Sequence, residues 1–326
     1  MSVINDNCGV FVPEMDQTYY ITDEILNLFD RVNALSAHKP QRVLLRGPHG
    51  AGKTEMAMQF AANQKKSILI MDCANLKEPR DWFGYKTIEN GQIIWHESQF
   101  DKVVSAGNHV ILLDEINRVH PTILNTLIPL LDGRGFTYLE EKGGCIVVGT
   151  GTVFFSTMNE GSAYTGTATC DLAIRERLGQ RIIEVSYLPK EKEIDVLMAR
   201  TGIDDKSAQA LVDIANQIRT KSTGINTSFS EGFSTRQLIA CAEDFVVDGP
   251  ESLTFTMVNL FSADGGTNSE RASVLQLLQG KFGVITPKAR NKETKDTKAD
   301  KKGFKTKFGV IFAGSEEVEV TASDNA

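Results

Sequence analysis

The chain has 326 residues, enough for one large domain plus a smaller one, with 41% hydrophobic and 24% charged residues. No apolar run approaches the roughly 20 residues that cross a bilayer. The acidic N-terminus "MSVINDNCGVFVPEMD" also lacks the basic-then-apolar layout of a signal peptide, so a cytoplasmic protein with no membrane segment is expected. The net charge is −7, yet residues 288 to 307 hold nine Lys/Arg against three Asp/Glu, which leaves −13 for the rest and makes the globular part a poor general binder of nucleic acid.

In chain order, Thr22 before "DEILNLFDRVNAL" is a helix N-cap, with acids in the first turn and Ile25, Leu26, Phe29 and Val32 on one stripe. Five short apolar runs follow: "QRVLLRG" (41–47), "SILIMDC" (67–73), "HVILLDE" (109–115), "TVFFSTMN" (152–159) and "QRIIEVSYL" (180–188). The gaps between them are long enough for helices, which predicts an α/β domain with a largely parallel sheet over 1–187. Within it, Asn90-Gly91 between "YKTIE" and "QIIW" reads as a hairpin, and "GRGFTYLEEKGGCIVVGTGTVFF" as a second one. From Pro189 onward amphipathic helical segments follow without intervening strands, so a smaller helical subdomain is expected over 188–287. Residues 288–326 read as a charged, weakly ordered tail. Cys8, Cys73, Cys145, Cys170 and Cys241 are scattered without a Cys-x-x-Cys pair, which fits reduced, mostly buried thiols rather than a disulfide or metal framework.

The chemistry centres on "GPHGAGKT". It follows a predicted strand and opens the helix "TEMAMQFAANQ", as a phosphate loop requires. Gly47, Pro48, His49, Gly50, Ala51 and Gly52 form the loop whose amides converge on phosphate oxygens. Lys53 reaches the β and γ phosphates, and the Thr54 hydroxyl holds Mg²⁺. "HVILLDEIN" puts Asp114 and Glu115 at the end of a second buried strand, where Asp114 orients the metal and Glu115 polarises a water towards the γ phosphate. Asn159 ends a third strand and is placed to position that water. Arg175 and Arg177 precede the last strand, where a guanidinium could reach a neighbour's γ phosphate; Arg236 in "STRQLIA" could close onto the nucleotide from the helical side. Trp95 is read either as a client contact or as simple packing of a hairpin aromatic.

The series "GPHGAGKT", "LLDEIN", "STMNEG", "AIRERL", "STRQLI" resembles the AAA+ ATPases over roughly residues 10 to 285. Within them it is similar to the MoxR and dynein-related branch, through "DEINRVHPTILNTLIPLLDGR", "WFGYKTIENGQIIW" and "STMNEGSAYTGT". "FVPEMDQTYYIT" and "YLPKEKEIDVL" look like the CobS-type ATPase subunit of cobaltochelatase. The resemblance implies ATP and Mg²⁺ as cofactors and Lys53 and Thr54 as phosphate and metal groups. It further implies Asp114 as metal orienter, Glu115 as catalytic base, Asn159 as first sensor, Arg177 or Arg175 as finger, and Arg236 as second sensor. A homo-oligomeric, hexameric ring that remodels a client protein, often one with a von Willebrand A domain, goes with it. The alternatives are the ATPase subunit of a cobalt or magnesium chelatase, and a nucleic-acid-handling ATPase that uses the basic tail.

Overall fold

The computed structural model describes residues 4–5, 9–159, 176–222, 228–264, 266 and 269–283. The proposed tail, Arg175, Cys8 and Cys170 lie outside the described residues. Five parallel strands form the centre of a sheet: β3 (Gln41–Gly47), β4 (Ser67–Asp72), β7 (His109–Asp114), β10 (Val153–Asn159) and β11 (Arg181–Glu184). Two short strands unforeseen in the sequence, β1 (Ile4–Asn5) and β2 (Val10–Phe11), extend one edge antiparallel, giving the order β1-β2-β4-β7-β10-β3-β11.

Side-chain alternation in these strands fills two separate cores, as a parallel sheet covered on both faces requires. Val43, Leu45, Val110, Leu112, Val153 and Phe155 face α1 (Asp23–Ser36) and α2 (Lys53–Asn63), where Phe29 and Phe60 complete an aromatic cluster with ring centroids 5.0 Å apart. Leu44, Ile111, Leu113, Phe154 and Met158 pack on the other side with the short α3 (Arg80–Phe83), α4 (Gln99–Ala106) and α5 (Pro121–Leu131). Every residue of β10, the middle one of the five parallel strands, is buried.

Two hairpins project from this body. β5 (Gly84–Glu89) and β6 (Gln92–Glu97) join through Asn90 and Gly91, both at positive φ (50° and 78°), the backbone of a two-residue type I′ turn. β8 (Phe136–Leu139) pairs with β9 (Gly144–Val147) before β10 begins. Trp95 sits midway along the first hairpin, opposite Lys86, half-buried against the core; Ile88 and Ile93, paired nearer the turn, are 77% and 69% exposed. The packing reading of Trp95 therefore holds, and the exposed large hydrophobic residues of the hairpin are Tyr85 and the isoleucines.

The last strand is shorter than the apolar run 180–188 implies. The Val185 N–H makes a final ladder bond to the Arg46 carbonyl (2.7 Å), and its own carbonyl then crosses so close to Gly47 that a Cβ there would lie 1.9 Å away. The chain leaves the sheet at that point. Helices alone follow among the described residues: α6 (Lys190–Thr201), α7 (Asp205–Ser222), α8 (Thr235–Asp248), α9 (Leu253–Thr256) and α10 (Glu270–Phe282). They enclose their own core, including Leu197, Leu211, Ile218, Phe233 and Leu238. Of the cysteines described, Cys73 and Cys241 are buried and Cys145 is exposed, and all three are free thiols.

Phe60→Ala removes the ring shared by Phe29 and Phe155 at the centre of one core. It should lower stability by about 3–5 kcal/mol, the range for a fully buried aromatic. Chemical denaturation checks this; a loss under about 1 kcal/mol would contradict the packing described.

Candidate functional site

The phosphate-type loop runs from the end of β3 to the start of α2. Gly50 lies at φ 68°, and a Cβ there would meet Ser234 Cβ at 2.5 Å, so the loop is packed tightly under the start of α8. Lys53 opens α2, and its amine turns back to donate to the carbonyls of Gly47 (3.0 Å) and Pro48 (2.7 Å). Burial pushes the Lys53 pKa down to about 8; the Asp114 and Glu115 carboxylates oppose that shift, and Arg236 adds to it. His49 is likewise lowered by burial, then by Arg236 and Lys53. A concentrated positive potential at a helix N-terminus is suited to an anion.

The acidic residues stand opposite. In the parallel ladders Asp114 pairs with Asp72 and Asn159 with Gly47, so the C-terminal ends of β7, β10 and β3 open on one crevice. Thr54 Oγ1 donates to Asp114 Oδ2 at 3.1 Å, and the Thr157 hydroxyl bonds the other oxygen of the same carboxylate. The Glu115 N–H donates to Thr157 Oγ1 (2.8 Å). Glu115 itself adopts φ 53°, a left-handed conformation that costs a non-glycine residue about 1–3 kcal/mol. Its carboxylate accepts from Asn159 Nδ2 (3.0 Å) on one oxygen and from Arg118 Nε (2.9 Å) on the other.

These groups border a cleft of about 670 Å³. The segment Thr18–Thr22, the stretch 184–189 and the helical part close its sides. Tyr19 donates its hydroxyl to the Gly52 carbonyl (3.0 Å), and Arg200 of α6 reaches across to Thr18 Oγ1 (2.9 Å) and pairs with Asp16. Arg236, exposed at the start of α8, lines the same cleft. The structure thus gathers Lys53, Thr54, Asp114, Glu115, Asn159 and Arg236 around one opening. Arg177 does not line it: it is exposed ahead of β11, near Asp132, whose carboxyl Arg134 and, more weakly, Arg177 hold below the usual range.

Thr157, Arg118, Tyr19 and Arg200 received no role in the sequence reading. Arg118 carried the only local signal, a cation three residues after Glu115. The others reach the site across 33 or more positions of chain.

In the chain without bound ligand, the Lys53 amine should titrate with a midpoint near pH 8. NMR of ¹³C-labelled lysine side chains checks this, with Lys53→Arg identifying the signal; titration alongside the exposed lysines above pH 10 would contradict the burial argument.

Residues 42–178 match the AAA domain of the dynein-related subfamily, and residues 193–275 match the CbbQ/NirQ/NorQ C-terminal family. The chain is 31% identical over 272 residues to the putative chaperone BssE of Thauera aromatica, spanning 79% of this chain and 94% of that protein. It is 25% identical over 201 residues to protein NorQ of Paracoccus denitrificans, spanning 61% and 76% of the two chains. A crystal structure of NtrX from Brucella abortus in complex with ADP is similar at 16% identity and a TM-score of 0.46, over 70% of this chain and 50% of that one. No helix among the described residues is long and apolar enough to cross a membrane. The chain belongs to the AAA+ ATPases, in their dynein-related, MoxR-type branch.

Proposed function

We propose that this chain binds Mg·ATP in the cleft, hydrolyses it to ADP and phosphate, and works in a cytoplasmic ring that remodels a client protein. The observation that carries the reading is the Thr54–Asp114 contact (3.1 Å) beside the buried Lys53 amine, with Glu115 one residue further on and held by Asn159. On this reading residues 1–187 are the nucleotide-binding domain and 188–287 its helical lid.

Each residue then has a physical task. Lys53 faces the β and γ phosphates, and contact with them replaces its present bonds to neutral loop carbonyls by stronger ones to a charged acceptor. Thr54 and Asp114 supply two oxygens. No described cluster of three or more His, Cys, Asp or Glu could hold a metal by itself, so the donor set fits an ion that keeps phosphate and water ligands, as Mg²⁺ does. Bound there, Mg²⁺ would neutralise charge on the phosphates. Glu115 takes the proton of the attacking water, and Asn159 holds that carboxylate in place. Arg236 approaches from the helical side, within electrostatic reach of Lys53.

The ring and the client rest on separate features. Arg177 is exposed and outside the cleft of its own chain, as a group acting on a neighbour's nucleotide must be. Ile88 and Ile93 on one hairpin and Phe136 and Tyr138 on the other are exposed apolar residues suited to a polypeptide client. The relative in Thauera aromatica is named a putative chaperone, and the match of 193–275 to the CbbQ/NirQ/NorQ family favours this reading over a chelatase subunit.

Glu115→Gln should bind ATP as the parent does and hydrolyse it at least about 100-fold more slowly. Phosphate release under saturating ATP measures this, and unchanged turnover would remove Glu115 from the chemistry. Arg177→Ala should also retain ATP binding with turnover nearly lost, by about 10³ or more. Mixed with Lys53→Ala protomers in verified mixed rings, it should regain part of the activity, because some interfaces then pair an intact Lys53 with a neighbour's Arg177. Silence of that mixture together with recovery when Arg175→Ala replaces Arg177→Ala would assign the finger to Arg175; silence of both would refute a finger acting in trans.

A further inference from the structure

Glu193 on α6 is wholly buried, and Arg219 on α7 nearly so, yet neither belongs to the cleft. They form a bidentate pair, Nη1 to Oε2 at 2.7 Å and Nη2 to Oε1 at 2.8 Å. Taking two charges out of water costs several kcal/mol per ion, so a buried pair is a weak stabiliser and is best explained by the geometry it imposes.

That geometry is specific. Arg219 Nε donates to the Phe233 carbonyl (2.6 Å), and Glu193 Oε1 accepts from Thr235 Oγ1 (2.7 Å). The pair therefore holds the chain on both sides of Ser234, through the Phe233 carbonyl and the Thr235 hydroxyl. Ser234 caps α8 through a reciprocal box with Gln237, and its side chain stands where a Cβ on Gly50 would collide. Arg236 is two residues further along, facing the cleft. Arg219 Cζ lies over the Tyr187 ring, 4.1 Å from its centroid, and Tyr187 in turn donates to the His49 carbonyl (3.3 Å). One ion pair thus holds α6, α7, the start of α8 and the stretch after β11, and two of its arms end against the phosphate loop.

We propose that the Glu193–Arg219 pair is a positioning joint that seats the first turn of α8 on the phosphate loop, and so fixes Arg236 against the terminal phosphate of bound ATP. This deepens the nucleotide-binding reading above and rests on it. Its consequence is selective: a loosened joint costs contacts to the γ phosphate, which ADP lacks, and leaves the contacts both nucleotides share.

The test measures Mg·ATP and Mg·ADP affinity by calorimetry for the full chain and for Arg219→Lys, Arg236→Ala and the double variant. Lysine keeps the charge but cannot donate to Glu193 through two nitrogens while reaching the Phe233 carbonyl. Arg219→Lys should reduce the preference for ATP over ADP by about tenfold, the size of one lost hydrogen bond to a charged group. Arg236→Ala should reduce it at least as much, and the double variant no further, because the joint acts through Arg236. Equal weakening of ATP and ADP, or effects that multiply in the double variant, overturn the proposal, since a purely structural role gives those results. If Arg219→Lys loses its cooperative thermal transition, Thr235→Val takes its place in the same cycle, with a loss of preference of about threefold expected and equal weakening again overturning the joint. Lys53→Ala separates the two levels. Unchanged nucleotide affinity in that variant refutes the nucleotide site itself, whereas weakened affinity there with an unaltered ATP preference in Arg219→Lys refutes the joint alone.

Discussion

The parallel register of β3 and β10 is the constraint on which the rest of the molecule depends. Because Asn159 lies opposite Gly47, and Asp114 ends the neighbouring strand on β10's other side, the turn into α2, the acidic pair and the amide share one edge of the sheet. A shift of β10 by one residue against both neighbours would point Thr157 away from Asp114 and dissolve the contacts that join the three strand ends. The register is secured from both faces at once: Phe155 is committed to the aromatic cluster under α2, and Phe154 to the opposite core. Catalytic-type geometry at the rim is thus a by-product of packing in the middle.

Above that rim, polar ties cross a cleft whose walls include the apolar residues Ile21, Ile25, Leu188, Val196 and Ile239. Tyr19 anchors the N-terminal stretch to the carbonyl of Gly52, and Arg200 ties the same stretch to the helical part through Asp16 and Thr18. Arg200 is about one-third exposed, and a surface pair of this kind contributes only about 0–1 kcal/mol. The Glu193–Arg219 pair is different, since its partners are buried and breaking it strands a charge. The Arg200 tie is thus weak, whereas the buried pair fixes α6, α7 and the start of α8 to one another as one unit that meets the phosphate-type loop through Tyr187 and Ser234.

Much of this architecture is legible in the sequence, for local reasons. The five parallel strands are short apolar runs whose alternation does not show, because both faces are buried; their spacing gave them away. Asn90-Gly91 announced its hairpin by turn chemistry. What escaped depends on contacts between distant residues. β1 and β2 have two residues each, too few to carry a period. The end of β11 is decided by the Val185 carbonyl passing Gly47, which no pattern within 180–188 records. Glu193 and Arg219 look like two charges on amphipathic helices, and only the packing of α6 on α7 and α8 buries them together.

The two donors on Glu115 differ in kind, and their difference bears on how the proposed base is held. Arg118 is 45% exposed, so its pair with Glu115 is screened and contributes about 0–1 kcal/mol. Asn159 is buried, and its amide cannot be replaced by water at no cost. The left-handed backbone at Glu115 is held in turn by the Thr157 bond to its N–H and by the short helical turn Ile116–Arg118 that follows. Strain of about 1–3 kcal/mol at that residue exceeds what the Arg118 pair returns, so the pair cannot be what maintains the conformation. The backbone ties and Asn159 therefore set where the carboxylate points. Arg118 can let go of its oxygen and leave the carboxylate aimed, with one lone-pair face open to a water.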